Sequence, residues 1–299
     1  MSERVIITTS SRGINEDSLP YRLYQKAKKF GVWNPTDIDL SQDREDWQKM
    51  TDAQRNQILS LISQFQAGEE AVTLDLLPLI NVIAKEGRIE EEMFLTTFLF
   101  EEAKHTEFFR LVLNAIGETG DLSHYHQGTY KKVFYEILPA AMGRLEHDHS
   151  PKAVAEASII YNMFVEGVLA ESGYNSFYNT LDKLGLMPGL LQGITLLKRD
   201  ESRHIGYGTY LLTRIITENP ELYDHIMMKM QEVAVLARQI IEESIQSGEG
   251  KEPAFDTDPD ESRKFTETQL KVRMEVLARA KDKKVDEIYK IREKDVGVY

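Results

Sequence analysis

Two short stretches limit what this chain can fold into: Glu101-Glu102-Ala103-Lys104-His105 and its echo Asp200-Glu201-Ser202-Arg203-His204. Each holds a Glu and a His three apart inside an apolar-periodic run. At about 3.6 residues per turn, the two side chains share a helix face and reach one point. A carboxylate and an imidazole converging on a point suit a first-row transition metal.

The pattern alone is weak. With 7 His and 49 acidic residues in 299 positions, chance supplies roughly one acid-x-x-His match. Two further matches, Asp121…His124 and Glu146…His149, read as accidents. The first follows the turn signal Gly117-Glu118-Thr119-Gly120, and the second runs into Ser150-Pro151, which ends or starts a helix.

The upstream company of the central pair is what matters. Glu69 precedes Glu102 by 33 residues, and Glu166 precedes Glu201 by 35. The helical pattern breaks near Gly87 in the first interval and near Gly185 and Pro188-Gly189 in the second. At about 1.5 Å per residue the outward and return legs end level, so each lone Glu faces its Glu-x-x-His pair across an antiparallel hairpin. Together the hairpins offer Glu69, Glu102, His105, Glu166, Glu201 and His204. That is the inward-facing ligand set known for ferritin-like di-iron and di-manganese bundles. Four carboxylates buried together without cations would repel and take up protons. The expected fold is therefore all-α: a ferritin-like four-helix bundle core with additional helices and a dinuclear metal site in its interior.

Bulk properties narrow the field. A chain that is 41% hydrophobic and 28% charged can bury a large core. The net charge of -13 argues against nucleic acid and anionic membrane surfaces, which need a basic footprint. The absence of Cys excludes disulfides, thiolate metal sites and a Cys nucleophile, and fits a reducing cytoplasm. No signal peptide is read at Met1 to Thr9. The most apolar segment is read around Leu74 to Ala84, too short to span a bilayer; a soluble protein is expected.

Residues 1–50 read as an N-terminal segment, mostly irregular, packed on the bundle, with a short helix from Tyr21 to Phe30. Residues 51–299 read as the helical domain, within one domain overall. Helices are expected from Thr51, which opens a capping box, to Ala84 with a kink at Pro78. Others cover Ile89 to Ile116, Gly128 to Glu146, bent or interrupted at Pro139, Pro151 to Leu184, Pro188 to Thr217, and Pro220 to Gln246. A polar loop from Ser247 to Pro259 precedes a charged helix from Glu261 to Glu293. The one strand signal is Val5 to Thr9.

Glu70 and Glu101 adjoin the proposed ligands. Spacing favours Glu102 over Glu101, while Glu69 against Glu70 turns on which face points inward. Asp200, one residue off the ligand face, is placed to accept the second ring N–H of a ligating His. Val72, one turn after Glu69, borders the site. Tyr161 lies five before Glu166 and reaches the metals only through its length or a local π-bulge. Phe109, four after His105, also faces the site.

With these residues placed, the chain resembles the R2-like ligand-binding oxidases, relatives of the ribonucleotide reductase small subunit. The resemblance rests on Lys26-Ala27-Lys28-Lys29 through Trp33-Asn34-Pro35, on Phe65-Gln66-Ala67-Gly68-Glu69-Glu70-Ala71-Val72, and on the two central stretches. It implies a mixed manganese/iron centre that reacts with O2, with di-iron as the other form. Glu69, Glu102 and His105 would hold manganese, and Glu166, Glu201 and His204 iron. It implies a two-electron oxidation joining the Tyr161 phenol oxygen to the Val72 β-carbon, a homodimer, and a long-chain fatty acid in a tunnel walled by Gly68, Ala170 and Tyr174. The radical-bearing tyrosine of most reductase subunits would sit at Phe109. The rival functions are a reductase subunit using a metal-based oxidant, an iron-storage ferritin and a purely structural metal site.

Overall fold

The computed structural model describes residues 6–247, 254–283, 287 and 292–296, and among them every regular element is helical. Two long hairpins form the bundle. The first begins at Thr51, whose hydroxyl accepts the Gln54 N–H while the Gln54 side chain accepts the Thr51 N–H. Helix α3 (Asp52–Lys85) continues through Pro78. Gly87, at φ +71°, supplies the left-handed residue that turns the chain into α4 (Ile89–Ala115).

The second hairpin starts where Ser150 caps α7 (Pro151–Ser158), with Pro151 in its first turn. That helix widens without a break into a π-helical segment, Ile159–Ala170, and narrows again as α8 (Glu171–Leu181). Gly185 and Met187 are both left-handed at the turn into α9 (Pro188–Glu218). Met187 is held in that uncommon conformation by a fully buried side chain and by an N–H bond to Asp46 Oδ2 at 2.9 Å.

Helix α3 packs on α4, α4 on α9, and α9 on the π segment. The fully buried Phe94, Phe98, Phe108 and Phe109 line α4, each contributing about 1.5–3 kcal/mol of burial. Helices α10 (Tyr223–Gln246) and α11 (Pro259–Ala278) cover the π segment from outside.

Five sequence expectations need correction. The first fifty residues are more helical than expected: α1 (Leu19–Phe30) packs on α4 and α9, and α2 (Ser41–Lys49) follows a single turn at Pro35–Asp37. Buried Leu19, Leu23 and Ala27 give α1 the apolar face that a long irregular segment would lack. The strand signal fails: residues 6–9 run through a bend and turn, and Val5 lies outside the described residues. The helix after Gly128 is irregular just before Pro139 rather than at it, and it continues without a gap as α5 (Gly128–Lys132), a π turn at Val133–Ile137, and α6 (Leu138–Arg144). The ring of Pro139 obstructs the carbonyl four residues back, which lies inside that π turn. Helix α11 ends at Ala278 and gives way to a turn over residues 279–282, where the expected helix ran on without a break; Glu287 is helical, and residues 284–286 and 288–291 of that expected helix lie outside the described residues. Finally, among the described residues the span long and apolar enough to cross a membrane is Pro151–Leu184, and 78% of its most apolar window is buried within the fold. Residues 248–253 of the expected polar loop lie outside the described residues.

Candidate metal centre

The two hairpins bring six side chains to one buried point between α3, α4, the π segment and α9. His105 Nδ1 lies 3.4 Å from Glu69 Oε2, 3.6 Å from Glu102 Oε2 and 3.4 Å from Glu201 Oε1. His204 Nδ1 lies 3.0 Å from Glu102 Oε1, 3.5 Å from Glu201 Oε2 and 4.0 Å from Glu166 Oε1. Two ligand groups result: Glu69, Glu102, His105 and Glu201, and Glu102, Glu166, Glu201 and His204. Glu102 and Glu201 belong to both, offering one oxygen to each side. Glu69 is buried while Glu70 is exposed, so the inward face is now decided.

Protein partners do not satisfy these atoms. Both oxygens of Glu102, Glu166 Oε1, Glu201 Oε2 and the Nδ1 atoms of both histidines are buried with no hydrogen bond. Left so, each would cost about 1–3 kcal/mol. Six orphaned ligand atoms converging in two overlapping groups fit a pair of divalent cations.

Without metal the electrostatics are strained. Burial pushes the Glu69 carboxyl up to about 8 against the pull of His105. Burial, then repulsion from Glu201, holds Glu166 well above the usual carboxylate range. Glu102 goes the other way: burial opposes ionisation, but the attraction of the neighbouring His105 and His204 brings it down to about 2. Both histidines are raised well above their ordinary value; burial opposes this, and the surrounding carboxylates outweigh it.

The far ring nitrogens are held crosswise. Glu101 Oε2 accepts from His204 Nε2 at 2.8 Å, and Asp200 Oδ2 lies 3.4 Å from His105 Nε2. Each acid thus serves the histidine of the other hairpin, and Arg203 Nη2 ties the two acids together at 2.5 Å from each. Asp200 also accepts from Trp33 Nε1 at 2.7 Å and Lys104 Nζ at 3.2 Å. Burial works against its charge, yet His105, Arg203 and Lys104 hold its carboxyl well below the usual range. Asp200 therefore sits where its spacing implies. Sequence reasoning placed Glu101 only as a neighbour of the ligands and assigned no role to Arg203, Lys104 or Trp33. One signal was available: both stretches read acid-Glu-x-cation-His.

Tyr161 reaches the site because its helix is π-helical there, so residues five apart come onto one face. Its hydroxyl donates to the Val72 carbonyl oxygen at 3.0 Å, and both residues are buried. Phe98 stacks on His204 at 3.6 Å. Phe109 is fully buried against Phe65 at 5.2 Å. Tyr174 stacks on Phe65 at 5.0 Å with its buried hydroxyl unpartnered, and Ala170 borders the same apolar cluster. Gly68 is buried under the Phe134 ring. The accidental pairs Asp121…His124 and Glu146…His149 are exposed, away from the centre.

The family model of the ribonucleotide reductase small chain matches residues 16–267. Among solved structures, an R2-like ligand-binding oxidase with aerobically reconstituted Mn/Fe cofactor is 41% identical, with a TM-score of 0.88, over 91% of this chain and 97% of that one. A variant with aerobically reconstituted Fe/Fe cofactor matches at 40% identity and TM-score 0.88, over 91% and 98%. The chain belongs to the R2-like ligand-binding oxidases. The ferritin-like bundle of this family accounts for the paired hairpins, and its relatives' dinuclear cofactors agree with two ligand groups that share Glu102 and Glu201.

Proposed function

We propose that this chain is an O2-activating oxidase with one manganese and one iron, di-iron being its other active form. Manganese sits beside Glu69, Glu102 and His105, and iron beside Glu166, Glu201 and His204. The enzyme binds a long-chain fatty acid among Gly68, Ala170 and Tyr174, acts on C–H bonds, and works as a cytoplasmic homodimer. The observation that carries this reading is the pair of buried, unpartnered Nδ1 atoms on His105 and His204, facing carboxylates they share.

When bound, the metal pair supplies electrons to O2 and Lewis acidity for its reduction. The protein's part is positional. Asp200 and Glu101 hold the far ring nitrogens, which fixes the tautomers and presents Nδ1 inward. The aromatic wall of Phe98, Phe108 and Phe109 keeps bulk water out. The bond from the Tyr161 hydroxyl to the Val72 carbonyl holds the phenol beside residue 72. Joining the phenol oxygen to the Val72 β-carbon removes one hydrogen from each, and these two electrons and two protons go to O2.

The test is a tryptic map after aerobic loading with Mn(II) and Fe(II). The expected product joins the peptides of residues 72 and 161 with loss of two hydrogens; two free peptides contradict the proposal. Solvent extraction and mass spectrometry of the purified protein should release a long-chain acid. The match to the reductase small-chain family favours a second reading, a radical-generating subunit with a metal-based oxidant. Nucleotide reduction with a large subunit would identify it.

A further inference from the structure

Asn162 is fully buried in the π-helical segment, four residues before Glu166. The Ser158 hydroxyl donates to Asn162 Oδ1 at 2.9 Å, and Asn162 Nδ2 donates to Glu166 Oε2 at 3.1 Å. With Glu166 ionised, as a metal ligand must be, the reversed amide would set Oδ1 against a carboxylate oxygen, two acceptors with no proton between them, so the ligating state selects this orientation.

The bond makes the two Glu166 oxygens unequal. Oε2 is occupied by the amide, whereas Oε1 has no partner and lies 4.0 Å from His204 Nδ1. Glu102 contrasts with it: both its oxygens are unpartnered, one toward each histidine. Helix α9 then locks the amide in place. A Cβ at Gly208 would fall 2.2 Å from Asn162 Cβ, so α9 comes this close only because residue 208 is glycine. Gly208 lies four residues after His204, and one helix therefore presents the imidazole and backs the amide.

We propose that Asn162 is a positioning residue that makes Glu166 a one-oxygen ligand of the metal beside His204. Holding Glu166 to one oxygen would leave room on that metal, when bound, for an exogenous ligand. The inference rests on the dinuclear reading above. A two-oxygen Glu166 would make Oε2 share its electron density between a metal and the Asn162 N–H, which weakens both interactions, so the amide favours coordination through Oε1.

The test is anaerobic titration of the metal-free full chain with Co(II), whose visible bands weaken as coordination number rises. Asn162→Leu keeps nearly the same volume and removes the donor; Gly208→Ala keeps the amide and displaces it. Wild type should bind two equivalents. Asn162→Leu should weaken one of them by about 10–100-fold, with weaker visible bands for that ion and the other equivalent unchanged. Gly208→Ala should shift the same equivalent in the same direction. Unchanged affinity and spectrum for both equivalents in Asn162→Leu overturn the proposal. Equal weakening of both, with a lower thermal midpoint of the metal-free chain, overturns it too. If wild type binds two Co(II) but takes up no O2 when loaded with manganese and iron, the oxidase reading fails and the role of Asn162 stands. If wild type binds fewer than two, both fail.

Discussion

The carboxylate of Glu101 accepts from His204 Nε2 at 2.8 Å, although the two residues belong to opposite hairpins. Asp200 repeats the relationship with His105 in the other direction. An acid one residue off the ligand face cannot reach its own histidine's far nitrogen, but it can reach across the bundle. Glu101→Gln should therefore weaken the metal beside His204 by about 10–100-fold, and Asp200→Asn the metal beside His105. Competition with a calibrated chelator reads both constants, and each variant should leave the other site nearly unchanged.

Glu69 and Glu166 have raised carboxyl pKa values, and the two histidines are raised as well. A folded-state pKa above the unfolded value contributes stability that is complete below the unfolded pKa and is lost as pH rises through the folded one. The metal-free chain should lose stability as pH climbs from about 5 toward 8, the value reached by Glu69. Metal binding needs the same groups deprotonated, so uptake should release protons and tighten with pH. Thermal midpoints across this range, with and without Mn(II), should diverge. Parallel curves would contradict the assignment.

Gly31 ends α1 directly over the centre. A Cβ there would fall 1.9 Å from Glu101 Oε1, a carboxylate already fixed by Arg203 and His204. Neither partner can yield, so Gly31→Ala should cost about 1–3 kcal/mol. Chemical denaturation of the metal-free chain measures the loss.

Asp43 on α2 accepts from Gly189 N at 2.9 Å and Leu190 N at 2.7 Å, capping the first turn of α9 from outside its own sequence. Removing a buried cap leaves two N–H groups unpaired. Asp43→Ala should lower stability by about 1–2 kcal/mol. The same denaturation experiment checks it.

How much of this was legible follows from the range of each signal. The six converging side chains could be read because helix periodicity and rise are fixed geometry, and Glu69, Glu102 and His105 needed only a turn at Gly87. The approach of Tyr161 needed the helix to widen, which nothing in Ile159-Ile160-Tyr161-Asn162 announces. Glu101 was legible as a neighbour of the site but not as a partner of His204, since that depends on how two hairpins face each other. The helicity of α2 was hidden because Asp43 and Asp46 bind backbone N–H groups near α9 about 140 residues away. Long-range hydrogen bonds of this kind leave no local pattern.

Anomalous diffraction at the manganese and iron edges, on crystals of the metal-loaded chain, tests the central claim most directly. The expected result is two separate peaks. The manganese peak lies among Glu69, Glu102, His105 and Glu201, and the iron peak among Glu102, Glu166, Glu201 and His204. A single peak, or none between His105 and His204, would contradict it.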